Sequence, residues 1–311
     1  MKATSEKRTQ DPEPSFSWRS FREAILGRVS DYWVLTKPEV NFLVVISTLA
    51  GFYVALRGAL DLSLLVNTLL GTLLVASGTG TLNQYIERHS DASMRRTARR
   101  PLPAGRIKAV EALLFGILLA VSGGLLLWVE VNPLASVLAL LTLITYLLVY
   151  TPLKKRTSLC TLIGAFPGAM PPLIGWAAVR GSLNAESLVL YMILFLWQFP
   201  HFLAIAWMYR EDYSRAGLRM LPPEDPDGHL TSRQIIAFLV ALVLVSMVPA
   251  LIGQAGKVYL FGAVLLGSYF LLHGARLAKN RTNALARRLV LASVLYLPLV
   301  FGLLMFDKLL T

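Results

Sequence analysis

The sequence predicts an all-α integral membrane protein with nine transmembrane helices around a central cavity and a cytoplasmic N-terminus. Three observations predict it. Of 311 residues, 55% are hydrophobic and 15% charged, where an ordinary soluble domain has about 25% charged residues. Nine apolar stretches approach the roughly 20 residues that a helix needs to cross a bilayer. The loops between them alternate between strongly basic and nearly free of Lys and Arg.

Taken in order, hydropathy places the spans near 40–56, 62–85, 110–129, 133–150, 159–179, 187–208, 234–252, 258–273 and 290–306. The first and eighth are short. Of the 30 basic residues, 26 fall before the first span or in the 2–3, 4–5, 6–7 and 8–9 loops. Only Arg57, Arg180, Lys257 and Lys308 fall on the other side. A missed span would invert every assignment after it, so this alternation supports the count. Cytoplasmic loops are enriched in Lys and Arg, which sets the N-terminus inside and the C-terminus outside. Topology thereby accounts for the net charge of +12, and a nucleic-acid partner has no support.

Residues 1–38 read as a cytoplasmic tail with an interfacial amphipathic helix, and 39–311 as the membrane domain. No apolar run followed by a small-residue cleavage site marks a secretory signal. From Phe16, the residues Trp18, Phe21, Ile25, Leu26, Val29 and Trp33 recur at near-helical spacing among Arg19, Arg22 and Arg28. That pattern suits a helix lying in the headgroup region, preceded by disordered residues. Asp11 and Glu13 spoil an acid-poor transit peptide, so a bacterial cytoplasmic membrane is expected. The single cysteine, Cys160, excludes an intrachain disulfide and any cysteine-rich metal site.

The second span ends in Asn83-Gln84-Tyr85-Ile86-Glu87-Arg88-His89-Ser90-Asp91. Positions i, i+4 and i+8 keep Asn83, Glu87 and Asp91 on one helical stripe. Magnesium prefers oxygen ligands and shares one or two carboxylates with substrate phosphates, so the stripe suits a metal–diphosphate complex. Ion pairing of Glu87 and Asp91 with Arg88, Arg95 or Arg96 at a solvated helix end is an equally good account of the spacing alone. A second acidic cluster, Glu211-Asp212, follows the sixth span on the same side, so two acidic helix ends can flank one diphosphate. Lys154, Lys155 and Arg156 lie in the same set of loops, where topology alone explains them but where they also neutralise charge on a leaving diphosphate.

Five strings carry a family resemblance. They are Leu35 through Phe42, Asn83 through Pro103, Tyr150 through Thr157, Gly164 through Trp176, and Trp197-Gln198-Phe199-Pro200-His201-Phe202. In that order they resemble the UbiA-type membrane prenyltransferases, and within them the haem-modifying branch. The similarity covers most of 35–222. Gln84 and Glu87 stand where broader relatives carry aspartates, the second acidic motif is contracted, and His89 stands where an acid is frequent.

The resemblance implies transfer of farnesyl from farnesyl diphosphate to a vinyl group of haem b, with Mg2+ as cofactor and diphosphate released. It implies metal binding by Glu87, Asp91 and Asp212, with Asn83 in the same site. It further implies substrate contacts from Arg88, Arg96, Arg100, Lys154, Lys155 and His201, and a downstream haem-modifying enzyme or oxidase assembly factor as partner. His201, beside Pro200, has three readings: an iron ligand, a porphyrin contact, or a partner for a backbone carbonyl freed at the proline. Trp197, Phe199 and Phe202 offer ring faces to an allylic cation, but plain packing explains them as well.

Gly164 and Gly168 form a small-x-x-x-small pair that lets helices approach, and Pro167, Pro171 and Pro172 interrupt the fifth span. Broken helices also build transporter sites. Here, however, the polar clusters lie on one side only, whereas alternating access needs both. A quinone precursor or chlorin as acceptor keeps the enzyme class, and the Asn-Gln and Trp-Gln-Phe-Pro-His strings argue against it by resemblance.

Overall fold

The computed structural model describes residues 18–222 and 225–310. Phe16 and the segment expected to be disordered lie outside them. Among the described residues, nine helical spans are long and apolar enough to cross a membrane, and no strand occurs. After α1 (Trp18–Leu35), the first three spans are α2 (Pro38–Ala55), α3 (Leu62–Ala92) and α4 (Ala109–Glu130). The fourth runs through α5 (Pro133–Thr145), a π-helical turn at Tyr146–Tyr150 and the short α6 (Thr151–Leu153). The fifth is broken into α7 (Cys160–Gly168) and α8 (Pro171–Arg180), and the sixth is α9 (Ala185–Met208), followed by the short α10 (Arg210–Arg215). The last three are α11 (His229–Leu251), α12 (Lys257–Asn280) and α13 (Asn283–Leu310).

Every expected span has its helix, but the ends differ. Hydropathy ends the second span near Tyr85, whereas α3 continues to Ala92. At about 1.5 Å per residue, its 31 residues exceed the roughly 30 Å hydrocarbon core. The last turns, carrying Glu87 and Asp91, therefore project toward the basic face. The eighth and ninth spans are likewise longer than hydropathy shows, at 24 and 28 residues.

Neighbouring helices close into a ring, with α13 packing back onto α2. Small residues set the tightest crossings. A Cβ on Gly51 would collide with the Pro172 carbonyl, and one on Gly175 with the Thr48 carbonyl, so α2 and α8 touch backbone to backbone. The sequence pair Gly164 and Gly168 acts differently: it makes room for the Tyr150 ring and the Gln198 side chain. The proline-rich fifth span breaks at Ala169–Met170, where α7 ends and α8 starts on Pro171 at its first turn.

The joint between α1 and α2 is clasped by α3. Lys37 sits there in the left-handed region, at φ 55°. The Gln84 amide donates to the Val34 and Leu35 carbonyls at 3.1 and 3.0 Å, and Asn41 donates to Ser77 Oγ at 2.8 Å. Further along α1, Asp31 pairs with Arg106 and Arg28 with Glu111. Trp18, Ile25, Leu26, Val29 and Trp33 are left exposed.

Candidate active site

A chamber of about 570 Å³ lies inside the ring, lined mostly by apolar side chains of α2, α3, α5, α7, α8 and α9. Part of its wall is aromatic. Trp197, Gln198, His201 and Phe202 of α9 line it, while Phe199 turns away and stacks on Phe238 at 3.9 Å. The Trp197 indole donates to the Ser293 carbonyl at 2.8 Å and stacks on the His201 ring. His201 does not use a carbonyl freed by Pro200. Its Nδ1 lies 2.6 Å from Ser293 Oγ, which itself donates to the Val290 carbonyl. With that hydroxyl hydrogen committed, Ser293 accepts from Nδ1–H, and Nε2 keeps a lone pair.

Lys37 also lines the chamber and, among the described residues, is its one basic lining side chain apart from His201. Its ammonium donates to Asn83 Oδ1 at 2.7 Å, and the Asn83 amide donates to Thr151 Oγ1 at 3.1 Å. Beyond this point the expected acids appear, each already holding a cation. Lys154 Nζ lies 2.7 Å from Glu87 Oε1, and Arg100 Nη1 lies 2.8 Å from Asp91 Oδ2. Asp212 pairs with Arg215 and accepts the Arg96 backbone N–H at 3.3 Å. Asp91 and Asp212 are buried, and Glu211 is exposed. The ion-pair reading is thus partly right about the carboxylates, but their side-chain partners are Lys154, Arg100 and Arg215 instead of Arg88, Arg95 or Arg96.

The expected cations divide into two groups. Arg100 and Lys154 join the acids directly, and Arg96 lies over the Tyr209 ring at 5.0 Å beside Asp212. Arg88 turns back to its own Tyr85, donating to that carbonyl at 2.7 Å. Lys155 lines a separate recess, because successive residues in a helical turn point about 100° apart and Lys154 already takes the inward direction.

Sequence reasoning missed Lys37, Thr151, Tyr146 and Tyr150. The Lys-Pro pair opening the first span was the available signal for Lys37. Burial pushes its ammonium down to about 7, and the Arg100 guanidinium is the next cause. The two tyrosines begin and end the π-helical turn and line the chamber, and the Lys154 ammonium sits 4.5 Å from the Tyr150 ring centre. Such turns occur frequently at functional sites.

Among the described residues, no three His, Cys, Asp or Glu side chains converge as a ready metal cage. The donors of the stripe are nevertheless all oxygens, and the buried Oε1 of Gln84, the next residue after Asn83, has no hydrogen-bond partner among the described residues. Oxygen donors of this kind fit Mg2+ shared with substrate phosphates, which needs only one or two carboxylates.

A bundle of membrane helices around a mostly apolar chamber, with paired acids and bases beside it, suits a membrane enzyme for a substrate both greasy and anionic. The chain belongs to the UbiA prenyltransferase family, whose model matches residues 44–300, and it is a multi-pass membrane prenyltransferase. It is 51% identical over 287 residues to a Solibacter usitatus protein named protoheme IX farnesyltransferase, spanning 89% of this chain and 98% of that one. A Salinibacter ruber protein of the same name is 47% identical over 277 residues, again with 89% and 98% covered. Two solved structures share the fold. A digeranylgeranylglyceryl phosphate synthase aligns with TM-score 0.74 at 18% identity, covering 92% of this chain and all of the other. A UbiA homologue from Archaeoglobus fulgidus bound to DMAPP and Mg2+ aligns with TM-score 0.65 at 16% identity, covering 88% and 99%.

Proposed function

We propose that this prenyltransferase moves the farnesyl group of farnesyl diphosphate onto a vinyl group of haem b, giving haem O and releasing diphosphate. The observation that carries the reading is one mostly apolar chamber lined both by Lys37, which bonds Asn83 of the acidic stripe, and by Trp197 and His201. The names of the relatives support the choice of haem as acceptor.

In this reading the diphosphate lies beside Lys37. Lys154 and Arg100 turn from Glu87 and Asp91 to its oxygens, together with Lys37, Arg96 and Asn83. Glu87, Asp91 and Asp212 are the residues that would hold Mg2+, which supplies charge stabilisation for the departing diphosphate. The C1–O bond of the farnesyl group breaks, and its electron pair leaves on the diphosphate. The vinyl group's terminal carbon bonds to C1, and the adjoining carbon takes the oxygen of water with loss of a proton. Until the vinyl group attacks, the allylic cation needs a dry wall. Tyr146, Tyr150, Trp197 and Phe202 supply ring faces there, and His201 offers the Nε2 lone pair to the iron or to the porphyrin edge.

The basic face lies in the cytoplasm of a bacterial inner membrane, with α1 in the headgroup region, as the exposed Trp18, Ile25, Leu26 and Trp33 support. Haem O then passes to a downstream haem-modifying enzyme or oxidase assembly factor. The test is incubation of purified protein with haem b, farnesyl diphosphate and Mg2+, followed by mass analysis of extracted haems with and without a chelator. Haem gaining farnesyl plus water, only without chelator, is the expected product. Unchanged haem with folded protein moves the reading to another prenyl acceptor.

A further inference from the structure

Toward the basic face from the chamber lies a second recess of about 420 Å³, lined by Lys155, Arg210, Arg219, Tyr213 and Ser214 over a floor of Ala206, Leu218, Met220 and Leu221. Among the described residues, no carboxylate lines it. The Lys155 ammonium has no hydrogen bond or ion pair among the described residues. Arg210 is held over the Trp207 ring and donates to Asn283 Oδ1, and Arg219 donates weakly to the Arg156 carbonyl at 3.4 Å. The loop is fixed in place, because the Arg219 N–H donates to the Lys154 carbonyl at 2.7 Å.

The recess and the chamber share a wall and a helix face. Gln198, Phe202 and Ala206 follow at i, i+4 and i+8 on α9; the first two line the chamber and the third lines the recess. Tyr150 of the chamber and Met220 of the recess belong to one apolar cluster with Cys160 and Ala206.

We propose that this recess receives the paired propionate carboxylates of the tetrapyrrole acceptor, and so fixes which edge of the macrocycle enters the chamber. The proposal rests on haem as acceptor. A haem carries its two ionised propionates on one edge and its vinyl groups on others. Burying a carboxylate in an apolar chamber without a partner is strongly unfavourable. Among the described residues the chamber offers Lys37, already engaged by Asn83, as its one Lys or Arg, and it carries the acid Glu39 in its lining. The recess offers Lys155, Arg210 and Arg219 next to water, on the side toward which an amphiphile would keep its charged edge. Seating the propionates there leaves a vinyl edge directed inward, so that orientation comes from charge and not from shape alone.

The test is optical titration of purified protein with haem b and with its dimethyl ester, in which both propionate charges are masked. Wild type should prefer haem b by about tenfold or more, as a charge-assisted pair of hydrogen bonds provides. In Lys155→Ala/Arg219→Ala that preference should fall close to one, with binding of the diester unchanged, and Arg219→Lys should retain most of it. A double variant that keeps the wild-type preference overturns the proposal. So does one that keeps it and instead weakens inhibition by inorganic diphosphate, which would make the recess a phosphate site. If wild type binds neither tetrapyrrole, the acceptor reading itself fails.

Discussion

The Lys37 ammonium donates a 2.7 Å hydrogen bond to the Asn83 amide oxygen, fastening the joint before α2 to the stripe on α3 that carries Glu87 and Asp91. This cation stands where a chamber built for grease meets a site built for charge. With burial holding it at about 7, Lys37 is mostly neutral at about pH 8 and mostly charged at about pH 6. A diphosphate placed beside it favours the charged form and raises that value. Binding of diphosphate with Mg2+ should therefore take up a proton at the higher pH and much less at the lower. Calorimetry in buffers of different ionisation enthalpy measures the uptake, and Lys37→Met should lose it.

Asp91 is buried against Arg100. Asp91→Asn keeps the shape and removes the charge, so product formation should fall by about hundredfold or more while the protein remains inserted and folded. Full activity in the purified variant would remove Asp91 from the metal site.

Lys154 and Glu87 form a pair with both side chains mostly shielded from solvent. Removing one partner of a buried pair leaves an uncompensated charge, at a cost of about 3 kcal/mol or more. Lys154→Met should thus lower the unfolding temperature more than Glu87→Gln/Lys154→Met does. A double variant less stable than the single one would contradict the pairing.

At the opposite end, Lys308 Nζ donates to the carbonyls of Tyr53, Val54 and Leu56 at 2.9, 2.8 and 2.8 Å. These groups at the C-terminal end of α2 otherwise need a cap. The neighbouring Asp307 accepts the backbone N–H groups of Gly256 and Tyr259 at the start of α12. Lys308→Met should cost about 1–3 kcal/mol, read as a lower unfolding temperature, with kcat unchanged below the transition.

Hydropathy made the spans legible because lipid contact demands apolar residues in bulk. It could not mark where α3 ends, since helical hydrogen bonding continues past the hydrocarbon to Ala92 while apolarity stops near Tyr85. The stripe of Asn83, Glu87 and Asp91 was legible because its spacing lies within one helix. Its partners were not, because Lys37 and Lys154 stand 46 and 67 positions from the groups they bond. Consecutive lysines read as one cluster, whereas Lys154 and Lys155 serve separate spaces. The glycines of the fifth span were visible as small residues, but not whether a helix, a ring or an amide would fill the space beside them.

The π-helical turn at Tyr146–Tyr150 acts as an angular offset. One added residue in a helix rotates everything after it by about 100°, so the turn sets the compass bearing of Thr151 and Lys154 relative to the first half of the fourth span. Deleting one residue there would barely shorten the span. It would swing the Lys154 ammonium away from Glu87 and toward the lipid or the neighbouring recess, uncoupling the two halves of the site while every span still crossed the bilayer.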